Sequence, residues 1–180
     1  MTVLMGMKHC GKTTVGRLLA EKQGKEFIDL DEYVEALFLR EKGRPLSVRE
    51  IYCGEGKAAF GALEAESLSR IAGEYAADKR LILALGGGTI ENPLALAALA
   101  RGSLFVYLDE DEDVLFRRIA AGGIPAFLDG ADPRAAFHLL YEKRTALYRK
   151  KADIHLDTRG KTPEEIREEL YAHEEIRHGG

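Results

Sequence analysis

The chain has 180 residues, 46% of them hydrophobic, and a formal net charge of −4. That length suits one core and one domain, and an acidic balance without a basic run argues against nucleic acid or an anionic membrane as the main partner. No apolar stretch approaches the length of a membrane span and the N-terminal apolar run is too short for a signal peptide; with two cysteines, one inside a glycine loop, a reducing, cytoplasmic setting is expected.

In chain order, "TVLM" (2–5) is a short β-rich run, and a helical stretch follows over about 12–23. "EFIDL" reads as a second strand, with helices expected over 31–41 and about 55–77. "RLILAL" (80–85) has the continuous apolar character of a buried strand. Asn92 and Pro93 have the chemistry of a helix cap and a first helical residue, opening "LALAALA". "SLFVYL" (103–108) is the next strand, followed by helices near 110–121 and 133–150. "ADIHL" is the last strand, and Thr162-Pro163 opens an acidic terminal helix. Alternating strands and helices predict one α/β domain over 1–180, built on a parallel sheet covered on both faces.

"GMKHCGKTT" (6–14) meets the pattern G-x-x-x-x-G-K-[ST] through Gly6, Gly11, Lys12 and Thr13, between a strand and a helix. In that place, backbone N–H groups of the loop and of the helix N-terminus point at phosphate oxygens. Gly6, Gly11, Lys12, Thr13 and Thr14 are therefore the candidate nucleotide-binding residues. Lys12 is expected to reach the β- and γ-phosphates, and the Thr13 hydroxyl to ligate Mg²⁺. His9 and Cys10 lack a second ligand pair, so they read as loop side chains and not as a metal site.

A G protein would carry an Asn-Lys-x-Asp element, and the single asparagine, Asn92, is followed by Pro-Leu-Ala. A mechanical ATPase finds support only in "LFVYLDE" (104–110), whose acidic end also suits the start of the next helix. A small-molecule kinase needs a carboxylate beside the acceptor hydroxyl and cations for an anionic acceptor. "FIDLDEYVE" supplies Asp29 and Asp31, whose i, i+2 spacing places both on one face of an extended segment. One suits the Mg²⁺ shell and the other the acceptor hydroxyl; helix capping is the structural alternative. "LGGGTI" (85–90) follows the third strand, where Gly86, Gly87 and Gly88 permit close backbone approach at the ligand-binding edge of the sheet.

These segments, with "SVREIYCGEGKAAFGALEAESL", "IPAFL…DPR" and "KRTALYRKKADI", occur in the order and spacing of shikimate kinase, which the chain resembles from residue 3 to about 170. The resemblance implies a nucleoside-monophosphate-kinase-like fold with a five-stranded parallel sheet. It implies transfer of the γ-phosphate of ATP to the 3-hydroxyl of shikimate, with Mg²⁺, in the route to aromatic amino acids. By position, Asp29 would serve the Mg²⁺ shell through water, and Asp31 would hold the acceptor hydroxyls and align or deprotonate the nucleophile. Gly86, Gly87 and Gly88 would line the acceptor pocket, Arg144 would pair with the acceptor carboxylate, and Glu64 would position the pocket's basic groups. Arg117 would stack on adenine, with Arg118 a one-residue alternative. An acceptor-binding region is implied over about 31–64 and a lid over about 122–133.

Two positions depart from the family's pattern. Where it has an acceptor-site arginine this chain has Gly61, and where it has a lid arginine before a proline this chain has Ile124. Loss of a charge-assisted hydrogen bond costs about 1.5–3 kcal/mol. An arginine acting on a phosphoryl group in transfer is worth about 10³–10⁵ in rate. Lys57, one helical turn before Gly61, and Arg134, beyond Ile124, are candidate replacements. The alternatives are a kinase with another small polyol or acid as acceptor, or a nucleotide-binding relative without transfer. A monomer is the default oligomeric state.

Overall fold

The computed structural model describes residues 1–75, 80–99, 102–122, 128 and 132–178. Five short strands form its centre: β1 (Thr2–Met5), β2 (Glu26–Asp29), β3 (Leu81–Ala84), β4 (Leu104–Asp109) and β5 (Ile154–Asp157). They pair in the order β2-β3-β1-β4-β5, and every pairing is parallel. Every residue of β1 and β3 is buried, so the middle of the sheet is covered on both faces. That is why "TVLM" and "LILA" read as continuous apolar runs and not as alternating ones.

Among the described residues seven α-helices connect and cover the strands: α1 (Lys12–Gln23), α2 (Leu30–Lys42), α3 (Val48–Glu74), α4 (Pro93–Ala98), α5 (Glu112–Ala121), α6 (Pro133–Lys151) and α7 (Pro163–His178). A 3₁₀ turn covers Thr89–Glu91. Val15 and Leu19 of α1, Leu68 and Ile71 of α3, Phe137 and Tyr148 of α6, and Leu170 of α7 close on the sheet residues in one core. Asn92 caps α4 as expected, accepting from the Ala95 N–H, with Pro93 at the first helical position.

The largest departure from expectation is α3, which begins at Val48 and not near 55. Ser47 and Glu50 form a reciprocal capping box there, the Ser47 side chain accepting from the Glu50 N–H and Glu50 accepting from the Ser47 N–H. Gly56, at φ 83° and ψ 166°, then breaks the helix in two. The expected start thus fell on the kink inside a longer element, and the expected residues 76–77 lie outside those described.

Parallel pairing puts the ends of β1, β2 and β3 on one edge. The glycine loop, the Asp29–Asp31 pair and the triple glycine all leave that carboxyl edge, where open α/β sheets bind ligands. Among the described residues no helix is long and apolar enough to cross a membrane. Cys10 is buried and Cys53 exposed, and both are free thiols.

Candidate active site at the carboxyl edge of the sheet

The loop after β1 is built from backbone that few side chains tolerate. Gly6 sits at φ 150°, and a Cβ there would meet Cys10 Sγ at 2.7 Å and the Leu108 carbonyl at 2.8 Å. Gly11 sits at φ 100° and His9 at φ 67°. Gly11 caps α1 without a side-chain bond, which leaves the first-turn N–H groups facing the loop. Lys12 is buried, with its ammonium donating to the carbonyls of Gly6 (3.0 Å) and Met7 (2.9 Å). Thr13 Oγ1 donates to Asp29 Oδ2 at 2.7 Å, and Thr14 is exposed.

Asp29 and Asp31 are brought together by a cap and not by an extended segment. Asp29 is the N-cap of α2, with Oδ1 accepting from the Asp31 N–H at 3.0 Å, while Asp31 already lies in the first helical turn. Capping and site placement are therefore the same geometry. Burial raises the Asp31 carboxyl to about 6, helped by Asp29 and Glu64 and opposed by Lys12 and Lys8. No described residue donates a hydrogen bond to its carboxylate.

The triple glycine is needed for close approach. None of its members has a positive φ, but a Cβ on Gly86 would meet Asp31 Oδ1 at 2.6 Å. One on Gly87 would meet the backbone nitrogen of Lys8 at 3.0 Å, and one on Gly88 the Arg144 guanidinium at 3.3 Å. Tyr148, fully buried beneath this turn, donates to the Gly87 carbonyl at 2.6 Å.

Glu64 and Arg144 both reach this edge, with partners other than those expected. Buried Glu64 accepts from the Thr89 hydroxyl (2.7 Å) and the Asn92 amide (3.1 Å), a neutral pair and not the basic groups expected for it. The carboxylate that holds the arginine is Glu91: Arg144 Nε donates to it at 2.8 Å, and Lys143 lies on its other oxygen at 2.6 Å. Burial, the largest single influence, pushes the Glu91 carboxyl up, yet the hydrogen bonds from Lys143 and Arg144 together carry it below its ordinary range.

Arg117 is exposed and donates to the Asp113 carbonyl (3.3 Å), whereas Arg118 reaches the His9 carbonyl in the phosphate loop (3.0 Å) and Glu110 (3.2 Å). Arg134 is tied to Glu112 and Asp113 and covers the Phe116 ring at 5.2 Å. Lys57 is exposed, and Ile124 lies outside the described residues. A Cβ on Gly61 would have Asn92 Nδ2 at 3.5 Å, an ordinary contact. Asp109, the acid of the ATPase-like run, is taken up by Tyr107 (2.8 Å), His155 (2.9 Å) and Arg149 (3.4 Å). Among the described residues no group of three or more His, Cys, Asp or Glu forms a metal cage. The Thr13 hydroxyl beside Asp29 is an all-oxygen donor pair of the kind that Mg²⁺ takes when phosphate and water complete its shell.

Sequence reasoning missed Thr89, Glu91 and Tyr148. The first two follow the triple glycine directly, and that adjacency was their one signal. Tyr148 carried none beyond its place in the "ALY" run after Arg144.

A phosphate loop, a desolvated acid and an arginine converging on one sheet edge have counterparts in known proteins. Residues 8–174 match the shikimate kinase family. A shikimate kinase from Thermodesulfovibrio yellowstonii is 33% identical over 168 residues, covering 93% of this chain and 91% of the relative. The structure of the Acinetobacter baumannii shikimate kinase in complex with shikimate superposes with a TM-score of 0.79 at 27% identity, over 99% of this chain and 92% of that one. The thymidylate kinase of Candida albicans shares the fold, at a TM-score of 0.61 and 14% identity over 98% of this chain and 91% of that one. A match running from the phosphate loop to α7, with the same fold throughout, makes this chain a member of the shikimate kinase family.

Proposed function

We propose that the chain transfers the γ-phosphate of ATP to the 3-hydroxyl of shikimate. Family membership makes it a kinase acting on an alcohol group. The observation that supports the placement of the reaction is Asp31: a desolvated carboxylate with free lone pairs, between the phosphate loop and the triple glycine. Such a group suits an acceptor hydroxyl, which it aligns and whose proton it takes. Lys12 exchanges the Gly6 and Met7 carbonyls for phosphate oxygens, and Gly6, Gly11 and Thr14 shape the cradle around them. Mg²⁺, held by Thr13 and through water by Asp29, would supply positive charge to the phosphates. Arg144 offers its fork to the acceptor carboxylate, Glu64 holds the Thr89–Asn92 wall, and the arginine beside adenine is Arg117 or Arg118. Transfer is in-line, and catalysis is positioning and electrostatics without a covalent intermediate.

The single domain works as a cytoplasmic monomer in this reading, with about 31–64 forming the acceptor side and about 122–133, most of which lies outside the described residues, the lid. Gly61 and Ile124 stand where the family pattern has arginines, and Arg134, a candidate replacement, is paired with Glu112 and Asp113. One observation favours a second reading, in which the acceptor is another small polyol or acid: Glu91 already occupies the Arg144 fork. ADP release from ATP and Mg²⁺, with and without shikimate, decides between them. Saturable stimulation by shikimate, lost by about 10²–10³-fold in Lys12→Ala, is the expected result. ATP binding without any stimulation overturns shikimate as the acceptor.

A further inference from the structure

The cations near the acceptor pocket differ in what already holds them. The Lys12 ammonium is bonded to the carbonyls of Gly6 and Met7, and Arg144 is forked on Glu91. Arg118 pairs with Glu110, and Arg134 with Glu112 and Asp113. Lys8 is exposed, and among the described residues its ammonium has neither a hydrogen bond nor a carboxylate partner.

Its position is not that of a stray surface lysine. A Cβ added to Gly87 would meet the backbone nitrogen of Lys8 at 3.0 Å and its Cα and Cβ at 3.6 Å. On either side of that contact, Gly86 abuts Asp31 and Gly88 abuts Arg144. Three consecutive glycines therefore seat, in order, a carboxylate, the root of a lysine and a guanidinium. Lys8 also belongs to the phosphate loop, two residues past Gly6.

We propose that Lys8 is a catalytic cation whose ammonium contacts the phosphoryl group as it passes from ATP to the acceptor hydroxyl beside Asp31. The proposal rests on the kinase reading above. The bond between the γ-phosphorus and the β,γ-bridging oxygen breaks, leaving ADP, and a bond from phosphorus to the acceptor oxygen forms. The hydroxyl proton goes to the Asp31 carboxylate, and Lys8 keeps its own proton throughout, acting by charge alone. A fixed cation aimed at the equatorial oxygens stabilises the transfer state more than either ground state, so its signature is in kcat. An ammonium on the acceptor's own carboxylate would show itself in KM instead.

The test compares the full-length wild type with Lys8→Met and Lys8→Arg. In Lys8→Met, kcat is expected to fall about 10²–10³-fold, with the KM for shikimate and the affinity for MgADP little changed. Lys8→Arg is expected to recover part of the loss. Without turnover, the wild type is expected to bind MgADP with aluminium fluoride, a mimic of the phosphoryl group in flight, more tightly than MgADP alone. Lys8→Met loses that margin. Unchanged kcat, a raised KM at unchanged kcat, or an intact aluminium fluoride margin in Lys8→Met each overturns the proposal. Should the wild type ignore shikimate altogether, the kinase reading has failed on its own, and the aluminium fluoride margin alone decides the role of Lys8.

Discussion

Two carboxylates at opposite ends of the parallel sheet, Glu174 and Asp31, are handled in opposite ways. At the amino end, Glu174 of α7 is buried and receives the Thr2 hydroxyl and the Gln23 amide (2.5 Å), with Lys25 at 3.7 Å. At the carboxyl end, Asp31 lies among Asp29 and Glu64 and receives no donor from the described residues. A buried carboxylate with donors recovers in hydrogen bonds what it loses in hydration, while one without them is driven toward its neutral form. Glu174 thus fastens α7 to the start of β1, and Asp31 keeps lone pairs open for a ligand. Stability and chemistry sit about one strand length apart.

That contrast can be broken from either side. The largest expected effect is Asp31→Asn, which should lower turnover by about 10²–10⁴-fold while ATP still binds, as read by ADP release and by titration calorimetry. The same variant should change how stability follows pH. A folded-state value of about 6 lies above the ordinary 3.8, so the native state holds this proton more tightly than the unfolded chain. The associated stabilisation is full below about 3.8 and is lost as pH rises through about 6. Asp31→Asn removes that loss, so its unfolding midpoint should gain on the wild type between pH 4 and 7. Equal pH dependence in the two proteins would show that Asp31 is not desolvated.

Glu174→Ala is the next largest and the mirror image. It leaves the Gln23 amide and the Thr2 hydroxyl without their acceptor, and urea unfolding should show a loss of about 1–3 kcal/mol with kcat unchanged. A fall in kcat without a fall in stability would erase the distinction between the two ends. The smallest effect belongs to Gly61→Ala. Gly61 lies inside α3 beyond the Gly56 kink, and a methyl group there meets nothing closer than 3.5 Å. The expected outcome is a gain of about 0.4–1 kcal/mol in thermal unfolding, with the acceptor KM unaltered. A raised KM would mean that the acceptor packs against this glycine.

Most of the architecture was legible because it is local. The alternation of apolar strands and helices, the Asn92-Pro93 start of α4 and the extent of α1 each depend on residues within a few positions of one another. The α3 boundary was misplaced because two local signals competed. The Ser47–Glu50 box opens the helix, but Gly54 and Gly56 obscure its continuation, and only packing carries the chain across the kink. The Asp29–Asp31 pair was legible as a pair, but its geometry was not: extended spacing and an N-cap both bring i and i+2 together, and the start of α2 chose the cap.

By itself, the sequence determined the phosphate loop, the parallel α/β frame and the family, since glycine spacing and apolar period constrain backbone that hardly varies with surroundings. Only the tertiary structure decided which charges meet. Arg144 is claimed by Glu91, 53 positions away, and Glu64 by Thr89, 25 away. The Asp31 carboxyl rises because β2, α2 and the triple glycine exclude water around it, and desolvation belongs to the assembled edge and to no single segment.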